Sequence, residues 1–275
     1  MKARQIPQFD FGANWKSFSD RALSAAHVQQ AKEHFAQLFA GIELHGRAFL
    51  DIGFGQGLTL LIAASEGAQT IGCDINSTCA DVVCGNQKRY FPGLTEDAVP
   101  LLVGSILDPA FIETLRAEAP DQTQRAYDIV HSWGVLHHTG NMREAIRGAA
   151  SLVVPGGYLV ISIYGRHWSS RSWGVIKRLY NSAPALIRRL LVALWTPLIY
   201  VAKWCVTGRN PLEQRRGMDF HHDILDWLGG YPYEYATPAE VNRMLENLGF
   251  ESVRFIPANV PTGCNEFVFR RASNS

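Results

Sequence analysis

From Ser24 onward the apolar positions of the chain switch repeatedly between two spacings. Val28, Ala31, Phe35, Leu38 and Phe39 recur at helical intervals, which predicts a helix over 24–40. AFLDIG (48–53) is a short continuous apolar run ending in glycine and predicts a buried strand; 58–66 returns to the helical spacing. The alternation then repeats. Strands are predicted at 68–75, 99–104, 127–132 and 157–164, and helices at 77–89, 109–119 and 142–152. Thr237-Pro238-Ala239-Glu240 reads as a capping box with proline at the first helical position, so a helix starts there and stops before Gly249. Two late strands follow, over 251–258 and 265–271. Residues 1–20 show no such period and read as an irregular segment carrying Phe9, Phe11, Trp15 and Phe18. Short apolar strands alternating with helices predict an α/β fold, a mostly parallel sheet covered on both faces.

Composition narrows this picture. A chain of 275 residues fits one large domain, or one domain with a sizeable insertion. With 47% hydrophobic and 19% charged residues it is globular, which excludes disordered, collagen-like and coiled-coil classes. Cys73, Cys79, Cys84, Cys205 and Cys264 are odd in number and contain no CxxC spacing. They read as reduced thiols of a cytoplasmic protein, and no metal site is expected from them. MKARQIPQFDFG has no apolar core of the kind a secretory signal needs.

The formal charge of +1 hides an asymmetry. Between Tyr164 and Arg216 there are ten Lys and Arg and one acid, Glu213, whereas the rest of the chain carries 16 basic and 24 acidic residues. The same insert holds the most apolar stretch, LLVALWTPLIYVA (190–202), too short by itself for a membrane span, which needs about 20 residues. Three readings stay open: a helical cap whose apolar face packs on the body, a pocket for an anionic substrate, and a helix lying on a membrane surface.

The densest chemical signal is DIGFGQG (51–57), at the end of the first strand and the start of a helix, where open α/β sheets bind ligands. Glycine there lets backbone approach a ligand without a Cβ in the way. Asp74 ends the second strand, 23 residues after Asp51, and can accept hydrogen bonds from both hydroxyls of a ribose. Together they indicate an adenosine ligand. A dinucleotide fits poorly: the third glycine, Gly57, arrives one residue early for G-x-G-x-x-G, and Asp51 would repel a pyrophosphate. Asp51 suits an α-amino group instead, and an adenosine with an ammonium tail is S-adenosylmethionine.

With these residues in place the sequence resembles the class I S-adenosylmethionine-dependent methyltransferases, of the bacterial small-molecule type. The resemblance covers roughly 45–165 and rests on four motifs in order: DIGFGQG, CDIN (73–76), YDIVHSWGVLHHTGN (127–141) and LVVPGGYLVISI (152–163). It implies a doubly wound seven-stranded sheet with the last strand antiparallel and a helical insertion after strand five. The organisation it implies is an N-terminal aromatic lid and helix (1–44), a cofactor-binding core (45–165), an acceptor cap (166–235) and the remainder of the core (236–275). It also implies that Gly53 and Gly55 line the methionine moiety, Gly57 belongs to the cofactor-binding set, Asp51 faces its amino group, Asp74 binds the ribose and Ile75 packs on the adenine. Ser105 and Ile106 stand where the family often has an acid beside the base. Ser132 and Trp133 flank the cofactor below the methyl, and Trp15 belongs to a lid whose aromatic face would stabilise a sulfonium.

Methyl transfer is an in-line displacement, and a hydroxyl acceptor also needs a base. If 219–228 is helical, His222 and Asp226 are neighbours at i and i+4, a base with a carboxylate to orient it. His221 and His137 are further candidates, each with a structural alternative. The stretch HDILDWLGGYPYE (222–234) is similar to one in some bacterial small-molecule methyltransferases and points to the acceptor side. The resemblance thus implies methylation of a small molecule at O or N, with an acidic metabolite favoured by the basic insert. A lipid or quinone-like precursor methylated at the membrane surface, with peripheral membrane contact, and a non-catalytic binding protein are the alternatives. HSWG replaces the [N/D]-P-P-[Y/F] motif, so no nucleic-acid partner is expected, and a monomer or homodimer is.

Overall fold

The computed structural model of the chain describes residues 9–208, 210–212 and 219–273. Seven strands form one sheet: β1 (Ala48–Ile52), β2 (Gln69–Asp74), β3 (Leu101–Val103), β4 (Tyr127–Trp133), β5 (Val153–Tyr164), β6 (Phe250–Ile256) and β7 (Cys264–Arg271). Their order is β3-β2-β1-β4-β5-β7-β6. β1 to β5 pair in parallel, while β7 runs antiparallel to both β5 and β6. This is the expected doubly wound sheet with a reversed last strand. Every residue of β1 is buried, as a central parallel strand requires.

Ten helices are described: α1 (Phe11–Arg21), α2 (Ala25–Leu38), α3 (Leu58–Ser65), α4 (Thr78–Tyr90), α5 (Pro109–Glu118), α6 (Met142–Ser151), α7 (Ser170–Ser182), α8 (Ala185–Thr207), α9 (Phe220–Gly229) and α10 (Pro238–Glu246). Two apolar clusters fill the two faces of the sheet. One joins Leu50, Val130 and Ile161 to Ala149 and Leu245; the other joins Phe49, Ile129 and Val160 to Leu61 and Phe35. Thr237 and Glu240 form the expected reciprocal capping box of α10.

The structure corrects several expectations. Residues 11–21 are helical. Asp10 caps α1 by accepting from the Ala13 amide at 3.0 Å, and Phe18 is completely buried beneath it. Its burial contributes about 2 kcal/mol, which outweighs weak local propensity. Strand five begins at Val153, earlier than expected, and β3 is reduced to three residues. The apolar run at 190–202 is the middle of a 23-residue helix that continues through Pro197. The expected cap, with its apolar face packed on the body, is only half right. Leu191, Val192, Trp195 and Ile199 pack against α7 and α9, but Leu190, Leu194 and Leu198 face outward.

Candidate active site

The sheet edge beyond the carboxyl ends of β1, β2, β4 and β5 opens into a cleft of about 1360 Å³. A pocket for one drug-sized ligand is about 300–1000 Å³, so this cleft has room for two. The glycine turn lies at its centre. Gly53 and Gly55 have φ of +75° and +53°, and both line the cleft. A Cβ on Gly55 would stand 2.7 Å from Nε1 of Trp15, and one on Gly53 would strike Val135. Gly57, also at positive φ, caps α3 and packs against Val83 rather than lining the cleft.

Asp74 is held in place by backbone. Its Oδ2 accepts from the Gly55 amide at 3.1 Å and its Oδ1 from the Asn76 amide at 2.9 Å. Burial raises its pKa, partly offset by these two bonds. Asn76 in turn donates to Asp10 at 2.9 Å, so α1 is pinned to the end of β2. Ile75 is exposed within the cleft, and Ser105 and Ile106 line the adjacent wall. Phe9, Phe11 and Trp15 cross the cleft from the N-terminal side.

Asp51 lines the cleft, and its carboxylate is shared with His131, Nδ1 to Oδ1 being 2.7 Å. The two residues are register partners on β1 and β4. Trp133 lines the cleft and donates to Glu266 at 3.1 Å, while His34 meets both oxygens of Glu266 at 3.1 Å. Ser132 points away from the cleft and donates to the Ile52 carbonyl at 2.9 Å. Sequence reading missed His131, His34 and Glu266. For His131 the available signal was a polar residue inside an otherwise apolar parallel strand.

On the other side of β1 lies a second constellation. Tyr164 ends β5, three strands from Asp74 in the sheet order, or about 14 Å at the usual strand spacing. The ring of Tyr164 lies 4.2 Å from that of His137 and 5.2 Å from that of Tyr233. Lys177 is 1% exposed; its ammonium lies 4.9 Å from the Tyr233 ring and donates to the Trp227 carbonyl. Burial lowers the Lys177 pKa and raises that of Asp226, and the charge of each opposes the other's shift. Asp226 lines the cleft. His137 also lines it and is fully buried; among the described residues its ring nitrogens make no hydrogen bond of ordinary geometry, the Ser162 backbone being the polar group that approaches them. Burial and the neighbouring His138 and Lys177 push its pKa well down, so its ring is neutral and able to accept a hydrogen bond. His138 is lowered to about 3 by burial and donates from Nδ1 to the Pro232 carbonyl at 2.6 Å.

The expected His222–Asp226 pair does not form. The ring of His222 is bound by Asp219 through Nδ1 and by Ser17 Oγ through Nε2 at 3.1 Å, and it does not line the cleft. A residue one turn earlier reaches Nδ1 because Asp219 is the N-cap of α9. His221 faces a shallow outer groove beside Arg188 and Arg189. The cleft walls carry Asp10, Asp51, Asp74, Asp223 and Asp226 against Lys203, which is itself paired with Asp223. The exposed Arg171, Arg178, Arg188 and Arg189 of the insert do not line the cleft. Arg209, Glu213, Arg215 and Arg216 lie outside the described residues.

Comparison with known proteins bears on the family and the fold. The chain is 29% identical over 135 residues to the ubiquinone biosynthesis O-methyltransferase of Stutzerimonas stutzeri, covering 49% of this chain and 52% of that one. It is 24% identical over 217 residues to the enzyme of the same name from Cronobacter sakazakii, covering 74% of each. The first of these shows that the chain spans about half the length of most curated relatives it matches. In fold it is similar to magnesium protoporphyrin IX methyltransferase from Synechocystis PCC 6803 with bound S-adenosylhomocysteine (SAH), with a TM-score of 0.55 at 15% identity over 94% of both chains. The CcbJ methyltransferase from Streptomyces caelestis gives 0.54 at 14% identity over 96% and 99%. The family described as Methyltransferase domain matches residues 24–254, most of the length and every strand but β7 and the last two residues of β6, and the chain belongs to it.

Proposed function

We propose that this chain transfers the methyl group of S-adenosylmethionine to a hydroxyl of a small aromatic acceptor. The observation that carries the reading is one cleft with two chemically distinct halves. The first half fits the cofactor. The positive-φ turn at Gly53 and Gly55 brings bare backbone to the cleft where a Cβ would strike Val135 or Trp15, and Asp74 is oriented at the end of β2 toward where a ribose would lie. Asp51 and Trp15 suit an ammonium and a sulfonium. When bound, the cofactor supplies an electrophilic methyl; the chain's own residues hold it, exclude water and manage the acceptor's proton.

The second half fits an acceptor with an aromatic body. Phe11, Trp133, Tyr164, Phe220 and Trp227 contribute to the walls. Asp226, its pKa raised by burial, is the proton acceptor, and the Lys177 ammonium stabilises its ionised form. His137 accepts or donates the hydrogen bond that aligns the acceptor. The O-methyltransferase names of the relatives support oxygen as the methylated atom. The described walls favour an uncharged or phenolic acceptor over an anionic metabolite, because their carboxylates outnumber the ammonium.

Calorimetry with SAH tests the cofactor half. Binding in the micromolar range, weakened at least tenfold in Asp74→Asn (about 1.4 kcal/mol), is expected. A wild type that does not bind, or a variant that binds as tightly, overturns the assignment.

A further inference from the structure

The insert carries an apolar face that nothing in the described chain covers. Helix α8 has one buried residue in 23, Ile199. Leu190, Leu194, Leu198 and Trp204 are 58%, 59%, 52% and 54% exposed. With Leu186 and Val201 they recur at three- and four-residue intervals, so they form one stripe along the helix. The opposite stripe, Leu191, Val192, Trp195 and Ile199, is the one packed against α7 and α9. On α7, Arg171, Val175, Arg178 and Leu179 are exposed and share a face by the same spacing. Contiguous apolar surface of this kind on a soluble domain marks an interaction site.

The charge pattern selects the partner. Between Ser170 and Thr207 there are six Lys and Arg and no Asp or Glu. Arg171, Arg178, Arg188 and Arg189 are exposed. A two-fold dimer through this face would set like charges against like with no acid to pair them. An anionic lipid surface offers counter-charge to these exposed arginines at the flanks of the stripe and also takes the apolar stripe itself. Arg189 and Lys203 are 14 residues apart, so the uncharged stretch between them is about 21 Å long, short of the roughly 30 Å hydrocarbon core. Packing on α7 and α9 also holds α8 along the body. The whole 23-residue helix is long and apolar enough to cross a membrane by length and composition, but the charges flanking its middle and its packing on α7 and α9 favour a position in the interface.

We infer that α8, flanked by the exposed face of α7, docks this protein on the surface of an anionic phospholipid bilayer. The far end of α8 contributes Lys203, Val206 and Thr207 to the cleft wall, so docking sets the acceptor half of the cleft beside the membrane. An acceptor of lipid solubility then enters from the bilayer; that consequence, unlike the docking, rests on the function proposed above.

The test is sedimentation of the full chain with vesicles of phosphatidylglycerol and phosphatidylethanolamine at low salt, with SAH calorimetry on the same samples. The wild type should sediment with these vesicles and at least tenfold less with pure phosphatidylcholine. Leu190→Glu/Leu194→Glu/Leu198→Glu and, separately, Arg188→Glu/Arg189→Glu should each lower partitioning at least tenfold with SAH affinity unchanged. Val253→Glu, an equally exposed apolar position on β6, should have no effect. A wild type that stays in the supernatant while binding SAH overturns the inference, and so do α8 variants that sediment like the wild type. A dimer in solution that the triple substitution dissociates, without vesicle binding, assigns the face to a second copy and overturns it equally.

Discussion

Gly55 concentrates two constraints in one residue. Its φ of +53° costs an L side chain about 1–2 kcal/mol, and Trp15 stands where a Cβ would go. Gly55→Ala should therefore weaken SAH binding at least tenfold by calorimetry, through displaced Trp15 and a disturbed Asp74 partner, while the fold persists. In the proposed function Asp226 carries the acceptor chemistry. Asp226→Asn should lower kcat by about 10²–10⁴ with SAH affinity unchanged. The wild-type rate should rise as pH climbs through the raised carboxyl pKa, and the variant should lose that limb. A variant with the wild-type pH profile would remove Asp226 from the proton transfer. Lys177 did not stand out in sequence as a partner of Asp226. A lysine buried between two tyrosine rings is defined by residues from β5, α7 and the segment after α9.

At the scale of elements, α1 and α9 explain each other. The Asn14 side chain donates to the His222 carbonyl at 3.3 Å, Ser17 reaches the His222 ring, and Phe18 lies edge-on to it at 5.6 Å. His222 is thus the joint between the helix carrying Trp15 and the helix carrying Asp226. His222→Ala should cost about 1–3 kcal/mol in urea unfolding and weaken SAH binding, with turnover at saturating cofactor little changed. A collapse of kcat at wild-type stability would instead restore His222 as the base. The segment after α9 is fastened similarly. The Glu234 amide donates to the His137 carbonyl at 2.9 Å and the Ala236 amide to Tyr164 at 3.0 Å, which holds the turn after β4 against the end of β5.

For the whole molecule, buried histidines tie stability to pH. His137 and His138 both have folded pKa values below the ordinary 6.5, His138 at about 3. A depressed folded pKa contributes stability that is present above 6.5 and lost as pH falls, because only the unfolded chain binds the proton. Asp226 and Glu234 are raised and give the opposite slope in part of the same range. Comparing wild type with His138→Gln isolates one contribution. Their difference in unfolding free energy should shrink by about 2 kcal/mol between pH 7 and pH 5, read from urea midpoints. A constant difference would mean that His138 titrates in the folded state as it does in the unfolded chain.

Periodicity and glycine chemistry are local, and they determined the sheet, most of its helices and the glycine turn at the centre of the cleft. Asp51, Gly53, Gly55 and Asp74 all follow from strand ends and turn conformation, which neighbours in sequence dictate. Helix α1 escaped because its stability comes from Phe18 and Asn14 buried against distant elements rather than from its own pattern. The partners of Asp51 and His222 escaped for the same reason. His131 meets Asp51 only through strand register, and His222 chooses Asp219 over Asp226 because the N-cap brings that carboxylate to its ring. The outward stripe of α8 was visible as apolar residues, but which side of a helix is covered depends on what packs against it, and tertiary structure alone decides that.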